Sequence, residues 1–160
     1  MRVSISAIGK LKAGPERELV DRYLSRAQGA GKQLGLSGFQ IFEQSESRAG
    51  SVDQRKGDEA KFLTAQLSEG SVLIALDERG KSISSPAFSE KIFRMRDDGV
   101  RDMLFVIGGP DGLDKCVRQR ADLVLSFSPL TWPHQIVRAL LCEQIYRAIT
   151  IASGHPYHRE

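Results

Sequence analysis

The sequence predicts an α/β fold: a mainly parallel sheet with helices on both faces. Three observations predict it. Apolar residues switch between a period of 2 and a period of 3.6 along the chain. Two runs, 72–76 and 103–107, are apolar without interruption, as strands buried on both faces should be. Strand and helix patterns alternate about five times, which calls for parallel strands joined by helical crossovers.

The elements follow in order. Residues 3–8 alternate as a short strand ending at Gly9. Pro15 opens a helix whose Leu19, Val20, Tyr23, Leu24 and Ala27 share one face, and Gly29 and Gly31 end it. Residues 39–42 form a second strand, followed by a polar, mobile loop over 44–50. A helix over 53–67 is stopped by Gly70, just before the apolar strand at 72–76. Ser85 is an N-cap with Pro86 at the first helical position, and that helix runs to Asp98-Gly99. After the strand at 103–107 come a short helix over 114–121, a strand at 123–125, and the longest helix over 134–152.

The chain has 160 residues and no internal repeat, linker or low-complexity stretch, so one domain over 1–160 is expected. With 41% hydrophobic and 27% charged residues it should fold and stay soluble. No apolar run approaches the roughly 18 residues a membrane span needs. The start alternates like a strand and lacks the apolar core of a signal peptide. A cytoplasmic protein without a membrane partner is expected. Cys116 and Cys142 suit neither a disulfide framework nor a metal site and read as small buried residues. A net charge of +3 is too small for nucleic-acid binding by charge alone. Positive charge is nonetheless concentrated early, in Arg2, Lys10, Lys12, Arg17, Arg22, Arg26 and Lys32, and reads either as a phosphate-facing surface or as an ordinary solvated helix face.

Ligands of such sheets bind beyond the carboxyl ends of the strands, where residues 76–80, 108–112 and 127–133 fall. Gly108-Gly109-Pro110-Asp111-Gly112 lets a ligand lie against bare backbone, or is simply a tight turn; it is neither a P-loop nor a dinucleotide fingerprint. The loop Phe127-Ser128-Pro129-Leu130-Thr131-Trp132 is stiffened by proline and holds the only tryptophan. It suits a slot for a flat heterocycle, and equally a plug under the sheet. All three histidines, His134, His155 and His158, lie in the last 27 residues. His134 begins the long helix, where the dipole disfavours a charged ring. Glu143 and Arg147 sit four apart on that helix, as a surface ion pair or as polar groups of a site. The tail groups Tyr157, His158 and Arg159 suit base stacking and phosphate contact, with terminal disorder the plainer reading. No histidine or carboxylate spacing indicates a metal. The apolar stripe of the long helix is wider than one sheet-facing surface requires, which suggests a second buried contact, such as the same helix of another subunit.

Taken together, four motifs resemble one family. They are Gly-Gly-Pro-Asp-Gly-Leu (108–113), Leu-Ser-Phe-Ser-x-Leu-Thr-Trp-Pro-His (125–134), Arg-x-Leu-Leu-x-Glu-Gln-Ile-Tyr-Arg-Ala (138–148) and His-Pro-Tyr-His-Arg-Glu (155–160). The family is the large-subunit ribosomal RNA pseudouridine N3-methyltransferases of the SPOUT superfamily. The resemblance spans nearly the whole chain and is weakest between residues 28 and 51. It implies a C-terminal deep trefoil knot, which periodicity does not reveal. It implies S-adenosylmethionine as cofactor, bound by Leu76, Gly108, Gly109, Phe127, Ser128, Pro129, Leu130, Thr131 and Trp132. Trp132 stands where a smaller apolar residue is expected in many relatives. The resemblance further implies a homodimer with a site completed across the interface, acting on 23S ribosomal RNA; recognition by shape within an assembled particle is expected. Among His134, Glu143, Arg147, Tyr157, His158 and Arg159 as candidate catalytic residues, His158 or Glu143 is expected to handle the N3 proton and Arg147 and Arg159 to meet the RNA. A methyltransferase of the same class acting on another RNA, and a ribosome-binding module without chemistry, are the alternatives.

Overall fold

A computed structural model describes residues 1–159; Glu160, the last residue of the tail motif, lies outside the described residues. The strands are β1 (Arg2–Ile8), β2 (Ser37–Gln44), β3 (Val72–Lys81), β4 (Asp102–Ile107) and β5 (Leu123–Leu125). They form one sheet in the order β2-β1-β4-β3-β5, with every neighbouring pair parallel. The helices are α1 (Pro15–Gly31), α2 (Val52–Thr64), α3 (Ser85–Asp97), α4 (Lys115–Arg120) and α5 (His134–Ala152).

The period of 2 divides the strands between two cores. Met103, Phe105 and Ile107 of β4 face a core with Val20, Phe88, Ile92, Leu141 and Ile145 from α1, α3 and α5. Leu104 and Val106 face the other side, against Ala60, Leu63 and Val117 from α2 and α4. Each such side chain contributes about 1.5–3 kcal/mol on burial. With five consecutive buried residues, β4 is a rigid base for the glycine turn that follows it.

The expected elements are present, and their departures have local causes. Gly29 does not end α1, which runs to Gly31, as expected, and continues as a 3₁₀ turn, Lys32–Leu34, that stops at Gly35 with φ 72°. Gly31 also serves packing: a Cβ there would lie 2.8 Å from the Phe39 ring. The α3 cap is Ser84, one residue before the expected Ser85; its hydroxyl accepts from the Ala87 amide at 3.3 Å. α2 ends at Thr64 rather than at 67. The 44–50 loop is not free, because the Ser47 amide donates to Glu59 at 3.0 Å and Arg55 donates to the Ala49 carbonyl at 3.2 Å. Cys142 is buried as expected, and burial pushes its thiol up to about 12. Cys116 is exposed, because it falls on the outer face of the short α4.

Two differences bear on the site. β3 continues past Leu76: it pairs with β5 through Ile74–Leu76, bulges, and meets β5 again at Lys81. A Cβ on Gly80 would lie 2.6 Å from the Val124 carbonyl oxygen, so only glycine lets the two backbones approach this closely. The wide stripe of α5 is taken up within the chain, since α5 packs on the sheet between α1 and α3. What remains uncovered is an edge of Leu130, Trp132 and Leu140. Among the described residues, no helix is long and apolar enough to cross a membrane.

Candidate functional site

A cavity of about 610 Å³ opens beyond the carboxyl ends of β3, β4 and β5. Its walls are the β3 bulge (Leu76 to Arg79), the glycine turn (Gly108 to Leu113), and the loop from Leu125 to His134, with Lys56 of α2 and Arg118 of α4 at the rim. This volume lies within the ~300–1,000 Å³ of small-molecule sites. The glycine turn is closed by the Gly112 amide donating to the Gly109 carbonyl at 2.9 Å. A Cβ on Gly109 would lie 2.9 Å from Ile8 and 3.3 Å from the buried Glu59 carboxylate, so the turn is pressed against β1 and α2. Arg55 also holds Asp111 at 2.6 Å.

The Phe127–Trp132 loop is braced by its own serines. The Ser126 hydroxyl donates to the Ser128 carbonyl at 2.9 Å, and the Leu130 amide donates to the Ser128 hydroxyl at 2.9 Å. Thr131 donates to Glu78 at 2.9 Å, joining the loop to the β3 bulge. Leu130 is 68% and Trp132 42% exposed, which excludes a plug under the sheet. A second apolar recess of about 350 Å³, between Phe88, Phe127, Trp132 and Leu140, adjoins the first.

His134 enters the cavity from the start of α5 and fills the place where a Gly9 Cβ would stand, 2.5 Å from its Nε2. Burial, then the Arg138 charge, pulls its pKa below the ordinary histidine range, so the ring is neutral at pH 7. One helical turn on, Arg138 is fully buried. It forms an ion pair with Glu43 and donates to the carbonyls of Ile8 at 3.1 Å and Gly9 at 2.8 Å. Glu43 also accepts from Arg17 at 2.9 Å and from the Leu11 amide at 3.1 Å. Burial opposes the Glu43 charge, but these hydrogen bonds and the Arg138 charge outweigh it and hold the carboxyl below its ordinary range. The network clamps the β1–α1 connection beside His134.

A separate polar cluster forms where the tail folds back on α5. Oε1 of Glu143 accepts from Arg147 at 2.9 and 2.6 Å and from the Tyr157 hydroxyl at 3.0 Å; Oε2 accepts from Gln144 at 2.8 Å. Burial, the Tyr23 hydroxyl and Glu143 all push the Tyr157 phenol up, so it stays protonated and donates. The Arg147 guanidinium lies 5.0 Å from the Tyr157 ring centre, and its Nη1 is 3.5 Å from His158 Nδ1. A guanidinium only donates, so in this contact His158 Nδ1 accepts and a ring proton sits on Nε2. Among the described residues that Nε2 is buried without a partner.

Of the residues expected to bind the cofactor, Leu76, Gly108, Gly109, Phe127, Ser128, Leu130, Thr131 and Trp132 line the cavity, whereas Pro129 does not. Of the expected catalytic residues, Glu143, Arg147, Tyr157 and His158 converge, His134 lies apart in the cavity, and Arg159 is exposed. Glu143 is nine helical steps after His134, about 13 Å along the axis. Sequence reasoning missed the Arg138–Glu43–Arg17 clamp and the cavity residues Lys56 and Arg118. Arg138 left a readable signal, because it falls on the face of Leu141, Ile145 and Ile149, where a charge needs a buried partner.

The family described as "Predicted SPOUT methyltransferase" matches residues 1–158 of the chain. Proteins named Ribosomal RNA large subunit methyltransferase H are similar over the full length. The one from Brucella anthropi is 55% identical, that from Rhodopseudomonas palustris 54% and that from Agrobacterium fabrum 51%, each over 159 residues and 99% of both chains.

Proposed function

The chain belongs to the SPOUT methyltransferase family, and we propose that it transfers a methyl group from S-adenosylmethionine to N3 of a pseudouridine in large-subunit (23S) ribosomal RNA. The observation that carries the substrate is the 51–55% full-length identity to proteins named for that RNA. The cavity fits the cofactor on physical grounds. Leu76, Phe127, Leu130 and Trp132 offer apolar walls for its adenine, and the bare backbone at Gly108 and Gly109 lets it lie close. When bound, the cofactor supplies a methyl group made electrophilic by a sulfonium.

The chain's own task is to orient the base and to hold the anion that forms as its imide N3 loses a proton. Glu143 is a poor candidate for taking that proton, since Arg147, Tyr157 and Gln144 already engage both of its oxygens. His158 has no vacant acceptor for it either, because Nδ1 already accepts from Arg147, so the N3 proton leaves to water and the role of His158 is to stabilise the anion. Its free Nε2–H is suited to hydrogen-bond an imide carbonyl oxygen and so stabilise the anion. Arg147 anchors this cluster, and the exposed Arg159 is available to an RNA phosphate.

The separation of His134 from the Glu143 cluster supports a homodimer in which a second copy brings its tail to the cavity of the first. The exposed Leu130, Trp132 and Leu140 supply an apolar edge for that contact. The tight passage of β5 against Gly80 fits the trefoil knot implied by the resemblance. The +3 charge fits recognition by shape within the assembled particle, in the cytoplasm. Nucleoside mass spectrometry of ribosomal RNA from a deletion strain tests the reading. One methylated pseudouridine should vanish and return with the wild-type gene, but not with Gly109→Val. An unchanged nucleoside profile would sink it.

A further inference from the structure

We propose that Tyr23, on the N-terminal helix, is a positioning residue that sets the C-terminal tail in its working conformation. The Tyr23 hydroxyl lies 3.3 Å from the Tyr157 hydroxyl. Tyr157 spends its single proton on the Glu143 carboxylate, 3.0 Å away. The proton between the two phenols therefore comes from Tyr23, and the chain of donors runs Tyr23 to Tyr157 to Glu143.

Little else fixes the tail. Its backbone bonds are local: the His155 amide donates to Thr150 at 2.9 Å, the Tyr157 amide to the His155 ring at 3.1 Å, and the His158 amide to the His155 carbonyl at 3.4 Å. None of these reaches beyond the end of α5. Among the described residues, and apart from the His158–Arg147 contact, the Tyr157 side chain is what ties the tail to the rest of the protein. Its ring packs 4.9 Å from that of Tyr146, which in turn lies 6.1 Å from that of Tyr23. Arg26 sits 5.8 Å from the ring centres of both Tyr23 and Tyr146. An aromatic ladder thus runs from α1 across α5 to the tail, with the Tyr23 hydroxyl as its polar end. His158 is the next residue after Tyr157, so its approach to Arg147 depends on where Tyr157 is held.

Tyr23→Phe removes only the hydroxyl and keeps the ring, so the fold is retained. Hydrogen exchange at the amides of His155, Tyr157 and His158 in the free protein should accelerate about five-fold, the effect of one net hydrogen bond. Methylation of the ribosomal substrate should lose about five-fold in kcat, with KM for S-adenosylmethionine unchanged. The double variant Tyr23→Phe/Tyr157→Phe should be no slower than Tyr157→Phe alone, because both act through one latch. The kinetic arm rests on the proposed function, and the exchange arm does not. If the wild-type protein methylates no ribosomal RNA but tail exchange still rises in Tyr23→Phe, the substrate reading fails and this one stands. Wild-type exchange of the tail in Tyr23→Phe overturns it, as does full additivity of the two substitutions.

Discussion

The cavity, beside the start of α5, and the tail cluster, on its middle and second half, are built by different means. The cavity is shaped by backbone: a bulge in β3, a glycine turn after β4 and a serine-braced loop after β5. The tail cluster is shaped by side chains, with three partners converging on one carboxylate. The first should be sensitive to added atoms and insensitive to lost polar groups. The second should behave in the opposite way.

The sharpest test breaks the scaffold that both share. Arg138→Met should cost about 3–5 kcal/mol, because it leaves Glu43 partly buried with one cation fewer. Urea denaturation measures it, and a loss under 1 kcal/mol would mean the clamp is not structural. Gly80→Ala probes the cavity: its Cβ meets backbone, so about 1–3 kcal/mol of overpacking is expected, together with loss of cofactor binding by calorimetry. Glu143→Gln probes the tail. Turnover should fall about ten-fold while stability changes by about 1 kcal/mol or less, since the group is partly solvated. A large stability loss with normal turnover would reverse the contrast.

Smaller effects sharpen the picture. The folded-state pKa of His134 is depressed, so the unfolded chain binds more protons as pH falls below the ordinary value of 6.5. Its contribution to stability is complete above pH 6.5 and is lost as pH falls toward the lowered folded value. His134→Gln should flatten the dependence of the urea midpoint on pH just below 6.5, where Glu43 is still ionised in both states. Arg159→Ala, at an exposed residue, should leave the melting temperature unchanged within about 1 °C. It should reduce methylation only a few-fold, and more at high salt than at low.

Much of the fold was legible along the chain. The apolar runs at 72–76 and 103–107 mark the sheet centre because both of their faces are buried. The Gly108 turn and the Phe127–Trp132 loop were readable as candidates from bare backbone and unusual aromatic content, and both line the cavity. Boundaries were less legible wherever tertiary contact overrides local preference. Gly29 looks like a helix stop but lies inside α1, and residues 77–80 look like a loop but belong to a bulged strand.

Composition and periodicity thus determined the α/β class, the order of the elements and the sheet end that carries the cavity, because these follow from which residues prefer water and which backbones tolerate a side chain. Only the tertiary structure decided that Arg138 is buried against Glu43 and that Tyr23 meets Tyr157. Those pairings join residues 95 and 134 positions apart. They arise from how helices seat on the sheet, which local pattern does not specify.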